Sequence, residues 1–373
     1  MMQAPKRYFR YIVRHYLKNF LILLVGLSLA VVFIDFLQQS QRLHGGINRK
    51  ILYAFYTWEY MLALIYPLVI LMAMAWTQIS FIYRNVFVSL FSFGYGRRQL
   101  LLPFLASGIG IYLLFTFLQT TPFAYGQDRA REILHADRYK EKLTDLFFKY
   151  DKAFVYAREL DPLRKQLKEG MIFEMEGQRV IRTVRFDIAS YRGGHWVAPR
   201  AGIRTKHFDR QGKPDGFEDR SVTELVVLEG YRPKVFRKIY QGGTFSLGDS
   251  IAALRLLERQ GLSSDKVKSI LYNKVVMPLF ALALMVIFFY RTPPYHRFVR
   301  KEQLWVGLLG SAMLIWALLY ALFRLGMNGV IDPDLGQTLP VLFLLVYAMV
   351  LDRRERRRES PEPLLRGNAG RFG

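Results

Sequence analysis

The chain has no cysteine. Disulfides, thiolate metal sites and cysteine nucleophiles are therefore excluded. Acid is scarce too: 30 Asp and Glu stand against 53 Lys and Arg, for a formal net charge of +23. There is no Walker A sequence, so the chain does not itself hydrolyse ATP by a P-loop. The histidines (His15, His44, His135, His195, His207, His296) show no metal-ligand spacing such as His-x-x-x-His, and no metal site is expected. Gly193, Gly194 and Gly242, Gly243 lack the strand–glycine–helix setting of a nucleotide site and read as turns. No arrangement of Ser, His and acid is readable. Neither a cofactor nor an active site in this chain is expected.

What is present is apolar length. Of 373 residues 52% are hydrophobic and 22% charged, with apolar blocks at both ends and a charged middle. That split suggests a membrane protein with one sizeable water-exposed domain. At ~1.5 Å rise, ~20 apolar residues cross ~30 Å of hydrocarbon. Spans are predicted over residues 17–37, 58–82, 100–123, 270–290, 304–325 and 339–351. Lys6, Arg7, Arg10, Arg14 and Lys18 precede the first run, which is long for a signal peptide and has no small-x-small site after it; it reads as a retained span. Pro67 and Pro278 fall inside spans, which neighbouring helices can tolerate. Gly108 and Gly110 would permit close helix contact.

Basic residues cluster at the ends of these runs. They serve topology and anionic-lipid contact, so the high charge does not make nucleic acid an expected partner. The N-terminus, the turn at 84–98, the loop at 291–301 and the tail all carry basic excess and are expected inside the cell. The polar, aromatic connector at 38–56, the middle segment and the loop at 327–338 are then outside. Asp35, near the outer end of the first span, either lies above the hydrocarbon or makes a polar contact at an opening between helices. Arg324, near the outer end of the fifth, either snorkels to the interface or faces an anionic headgroup.

In the middle, residues 124–146 read as an amphipathic helix. Residues 153–157, 171–175, 180–188, 195–197 and 224–228 read as short strands separated by Gly, Asp and Pro turns, as in a sandwich or barrel. Residues 246–260 return to helical period, with Gly261 as a cap. A further helix from Ser263, Ser264 and Asp265 is expected to run on into the fourth span. The tail beyond Pro361 is expected to fray.

The second and third spans are joined by an unusual turn. It carries Arg84, Arg97 and Arg98 and no acid, yet it encloses Val86, Phe87, Val88, Leu90, Phe91 and Phe93. An apolar helix at a membrane turn needs something to bury against. Three spans, an exported β domain and three more spans resemble the permease subunits of the lipopolysaccharide-export ABC transporter, the LptF/LptG family. The likeness is carried by Arg7 and Tyr8 with Phe33 to Leu37; by the turn from Arg84 to Gly96 with Leu101, Leu102 and Pro103; by Trp196; by Ser246 to Leu262 with Lys274 and Pro278; and by Gly326 to Pro333 with Leu339 and Pro340.

That resemblance implies much more. The fold would be an α-helical polytopic membrane protein, six transmembrane helices in a 3+3 order with an inserted periplasmic all-β, jellyroll-like domain. Residues 1–123 would hold spans one to three with a cytoplasmic coupling helix at 84–94, and 124–267 the jellyroll with flanking helices. Residues 268–351 would hold spans four to six, and 352–373 a basic cytoplasmic tail. The chain would sit in a bacterial inner membrane with both termini cytoplasmic. It would pair with a paralogous permease, dock a cytoplasmic ATPase dimer (LptB-like) and pass lipopolysaccharide to a periplasmic bridge (LptC/LptA-like). ATPase coupling would fall to Arg84, Val86, Phe87, Leu90, Phe91, Gly94, Arg97 and Arg98, and lipid contact to Asp35, Arg42, Arg49, Lys50 and Arg324. Two departures from the family pattern matter, while Gly96, where Ser is common, leaves the turn possible. Val86 stands where a Glu is usual, so hydrophobic contact must carry more of the docking. Val32 stands where some members place a Lys. A membrane-anchored sensor or assembly factor, whose β domain binds an envelope ligand, is the competing reading. A glycolipid enzyme would need convergent acids, and only Asp35 and the pair Asp332, Asp334 offer them.

Overall fold

A computed structural model describes residues 7–43, 46–134, 143–150, 153–161, 164–176, 179–192, 195–208, 214–228, 244–259, 263–295, 297 and 300–359. Gly193, Gly194, Gly242, Gly243, Gly261 and the tail past Pro361 lie outside them. The elements in chain order are α1 (Arg7–Gln39), α2 (Ile47–Tyr83), α3 (Val86–Ser92), α4 (Arg97–Leu118) and α5 (Gly126–Leu134). Strands β1 (Leu143–Tyr150), β2 (Ala153–Asp161), β3 (Gln166–Glu176), β4 (Arg179–Arg192), β5 (His195–Phe208) and β6 (Pro214–Val227) follow. Helices α6 (Leu247–Arg259), α7 (Asp265–Val275), α8 (Leu279–Arg291), α9 (Lys301–Met327) and α10 (Leu339–Glu359) complete the chain. The chain divides into two compact units, one running up to Ala130 and resuming at Asp265, the other Arg131–Ser264.

In the helical unit, α1 buries Ile12, Tyr16, Phe20, Leu24, Ser28 and Val32. The strict spacing of four makes one stripe down the helix. Its other faces show Leu21, Ile22, Val25 and Leu29 to the surroundings, as a helix in lipid should. Three polar bonds tie α1 to α2, which runs antiparallel to it: Asn19 Nδ2 to Thr77 Oγ1 at 2.8 Å, Trp58 Nε1 to Ser28 Oγ at 2.8 Å and Tyr53 Oη to Asp35 Oδ2 at 2.7 Å. Helix α2 starts well inside the stretch expected as a connector. Residues 47–57 contain no Gly or Pro, so the helix propagates back through them. At the centre lies α8, buried at every residue from Phe280 to Tyr290 except Ile287.

Among the described residues five helices are long and apolar enough to cross a membrane, or six if α7 and α8 count as one broken span. The two meet at a 41° bend. Pro278 has no N–H to give, and the chain compensates locally: the Val276 and Met277 amides both donate to the Tyr272 carbonyl at 2.8 Å. The Val275 carbonyl accepts from Tyr112 Oη at 3.0 Å. A single π turn, Asp334–Thr338, leads into α10, and the helix carries the basic residues Arg353, Arg354, Arg356 and Arg357 to Glu359.

The other unit is a six-stranded sheet, antiparallel and paired in chain order from β1 to β6. One apolar cluster takes in Val155, Ala157, Leu167, Ile172, Val184, Phe186, Trp196, Ala198 and Ile203, all buried. Of the helix expected over 124–146, residues 126–134 are helical, 135–142 lie outside the described residues, and Leu143 opens β1. Strands four to six reach 14 residues each, well beyond the short runs read from sequence. Exposed ion pairs cross neighbouring strands, such as Arg204 Nε to Asp219 Oδ1 at 2.7 Å. That hydrogen bond holds the Asp219 carboxyl below its ordinary range.

Candidate functional site

Two groups of the expected site residues are brought together at opposite ends of the α1–α2 pair. The first is the turn around α3. Asn85 leads into α3 in a left-handed conformation, φ 54°. At the other end the Gly94 amide donates to the Phe91 carbonyl at 2.9 Å and the Tyr95 amide to the Leu90 carbonyl at 3.2 Å. This is a Schellman cap, and it requires the left-handed φ of +82° found at Gly94. Gly96, extended, then opens α4. A helix of two turns is thus stopped sharply at both ends, by left-handed Asn85 before it and by the Gly94 cap after it.

Phe87 is buried, its ring 5.7 Å from Phe81 and edge-on to Phe289 at 6.0 Å. Val86, Leu90, Phe91 and Tyr95 are half-buried against the same apolar core, with Phe91 6.5 Å from Tyr295 and Tyr95 4.2 Å from Tyr8. The face turned away from the bundle carries Val88, 39% exposed, Phe93, 78% exposed, and Ser89 and Ser92. Phe87 therefore anchors α3 to its own chain, and the outward apolar side chains are Val88 and Phe93. The apolar residues singled out from the sequence, Val86, Phe87, Leu90 and Phe91, are those packed on the bundle; Val88 and Phe93 were not among them. Phe87, Leu90 and Phe91 share one face at i, i+3 and i+4, so the spacing alone would have put Val88 on another.

Arg84 is exposed beside α3. Arg97 turns inward: its Nη2 lies 3.1 Å, 3.2 Å and 3.1 Å from the carbonyl oxygens of Phe289, Tyr290 and Thr292. Arg98 Nε is 3.6 Å from Asp352 Oδ2.

The second group sits where α1 turns into α2. Asp35 is half-buried and accepts from Tyr53, so it joins the two helices. Beside this turn an apolar groove of about 540 Å³ is lined by Leu29, Val32, Phe33, Phe36, Ile47, Ile51 and Ala54. Lys50 also lines it and is its one charge. Arg42 lies in the turn and Arg49 on the first turn of α2. Arg324 stands apart, exposed on the last turn of α9, with no side-chain hydrogen bond or ion pair among the described residues. Neither group contains the convergent acids or histidines that chemistry would need, and among the described residues no cluster of His, Asp and Glu could hold a metal.

No curated protein matches the chain at the level of individual relatives. The family model for the lipopolysaccharide export system permease LptF/LptG matches residues 10–354. That range takes in both groups of residues and both units of the fold. Such coverage shows the family, and with the apolar helices it makes the chain a membrane protein of the LptF/LptG lipopolysaccharide export permease family.

Proposed function

We propose that the chain is one permease subunit of an ABC transporter that extracts lipopolysaccharide from the periplasmic leaflet of the inner membrane. A separate cytoplasmic ATPase powers it, a paralogous permease completes the cavity, and the β domain, a jellyroll, passes the lipid to a bridge protein. In this reading there are six spans in a 3+3 order, with the bent α7–α8 pair as the fourth; an even number keeps both termini on one side, and their basic excess makes that side the cytoplasm. The observation that carries this reading is α3: a short helix, anchored inward through Phe87 and presenting Val88 and Phe93 outward. Phe93, 78% exposed at the end of this helix, is the side chain a partner would cover. The partner's two nucleotide states must hold this knob differently, since a ligand without differential affinity shifts no equilibrium.

The docking surface is then Val88 and Phe93 with Arg84 beside them; Phe87, Val86, Leu90, Phe91 and Gly94 fix its geometry. Lipid contact falls to the groove above Lys50, with Arg42, Arg49 and Arg324 as further cations for phosphate and Asp35 holding α1 to α2. The test is co-purification. The unmodified chain is expected to bring down an ATPase without membrane spans, Phe93→Asp to lose it while remaining folded, and Phe87→Asp to lose it through collapse of α3. Absence of an ATPase from the unmodified complex overturns the reading.

A further inference from the structure

The sequence puts Arg97 among the cations of the docking turn, but its geometry points elsewhere. We infer that Arg97 is a transmission residue: it fastens the start of α4, and with it α3, to the end of the central helix α8, so that a push on α3 is carried into α8. This rests on the reading of α3 as the docking element.

The last carbonyls of a helix have no partner within it and form the negative end of its dipole. For α8 these include the Phe289 and Tyr290 carbonyls, and Arg97 Nη2 reaches both, together with Thr292 just beyond. Nη2 has two hydrogens for three acceptors, so one bond is shared. The bonds are charge-assisted, and the group is half-buried. Arg97 is also 5.8 Å from the centre of the Tyr290 ring. Tyr290 Oη donates to Asp352 Oδ1 at 2.7 Å, and Asp352 Oδ2 pairs with Arg98 at 3.6 Å. The path Arg97, Tyr290, Asp352, Arg98 closes on itself through two adjacent residues of α4. It ties α4, α8 and α10 at one end of the bundle. Phe87 of α3 meets the same α8 turn through Phe289. A docking cation would present its charge outward; here it is spent inside the chain.

The lack of cysteine allows a direct test. Spin labels on Phe93→Cys and Arg353→Cys, in the full chain, are expected to give a narrow distance distribution. Adding Arg97→Gln or Asp352→Asn should broaden it, and an unchanged width overturns the inference. In the complex, reconstituted in phospholipid vesicles containing lipopolysaccharide, Arg97→Gln is expected to keep its ATPase while lipid released per ATP falls about tenfold. Arg84→Gln, at the exposed side of the turn, should instead weaken ATPase capture. Loss of the ATPase from Arg97→Gln alone, or an unchanged release per ATP, overturns the inference. If Arg97→Gln does not fold, Asp352→Asn carries both measurements. If the unmodified chain captures no ATPase, the proposed function fails, and the distance measurement still decides the strut.

Discussion

Two glycines show how differently one residue type can be required. Gly94 has open space around its Cα but a φ of +82°. A side chain there is strained by backbone conformation, at about 1 kcal/mol. Gly94→Ala is therefore expected to loosen the cap of α3 and speed hydrogen exchange of the Gly94 and Tyr95 amides, leaving the rest of the unit protected. Gly170 is the reverse case. Its backbone is ordinary, but a Cβ there would lie 2.1 Å from Cζ of Phe186, its cross-strand partner and a fully buried ring. Overpacking of this kind costs about 1–3 kcal/mol. Gly170→Ala should lower the denaturation midpoint of the β unit, and Phe186→Leu in the same chain should recover part of the loss. If the double variant is no better than the single one, the ring is not the obstacle. The resemblance singled out Gly94 but not its left-handed φ, and Gly170 is one glycine among 28.

Elements were legible where a pattern repeats and misread where two periods agree. The apolar runs of α1, α2, α4 and α9 are long enough to leave little choice of state. Residues 143–146, expected as the end of a helix, are the opposite case. Leu143, Leu146, Phe147 and Tyr150 fit a helix spacing of i, i+3, i+4 and i+7, yet they pair with β2 as a strand. There Leu146 is buried and Phe147 exposed, the alternation of a strand. The tertiary partner decides between them, and it lies outside the window. At the α7–α8 break, the proline was legible and its remedy was not, because Tyr112 lies 163 residues from Val275. Tyr112→Phe leaves the Val275 carbonyl without that bond, at about 1–3 kcal/mol. The expected result is a less stable chain in detergent with an otherwise normal α4. An unchanged stability would mean that another group serves the carbonyl.

For the whole molecule, the family was legible across nearly the full length, as the match over residues 10–354 bears out. The wiring between parts was not. Arg97 finds its carbonyls 192 to 195 residues away, and the rungs between α1 and α2 join residues 58, 30 and 18 apart. Those rungs stand at Asn19, Ser28 and Asp35 along α1, roughly 10 Å or more apart at 1.5 Å per residue. Sites so separated add nearly independently, and polar contacts between membrane helices average about 0.6 kcal/mol each. Removing all three by Thr77→Val, Trp58→Phe and Tyr53→Phe should therefore cost about 2 kcal/mol, close to the sum of the single changes in a denaturation series. A total far above that sum would show that the rungs act as one network.

The length of α2 has a mechanical consequence. At 37 residues it is about 55 Å long, nearly twice the ~30 Å hydrocarbon it crosses. One of its ends leads directly into α3, and the other carries Lys50 and half the wall of the apolar groove. A rod of that length, pivoting at one end, turns a tilt of about 5° into a sideways travel of roughly 5 Å at the other. Phe93 and Lys50 would then be opposite ends of one lever, and the stiffness of α2 at Pro67 would set how much of the stroke arrives.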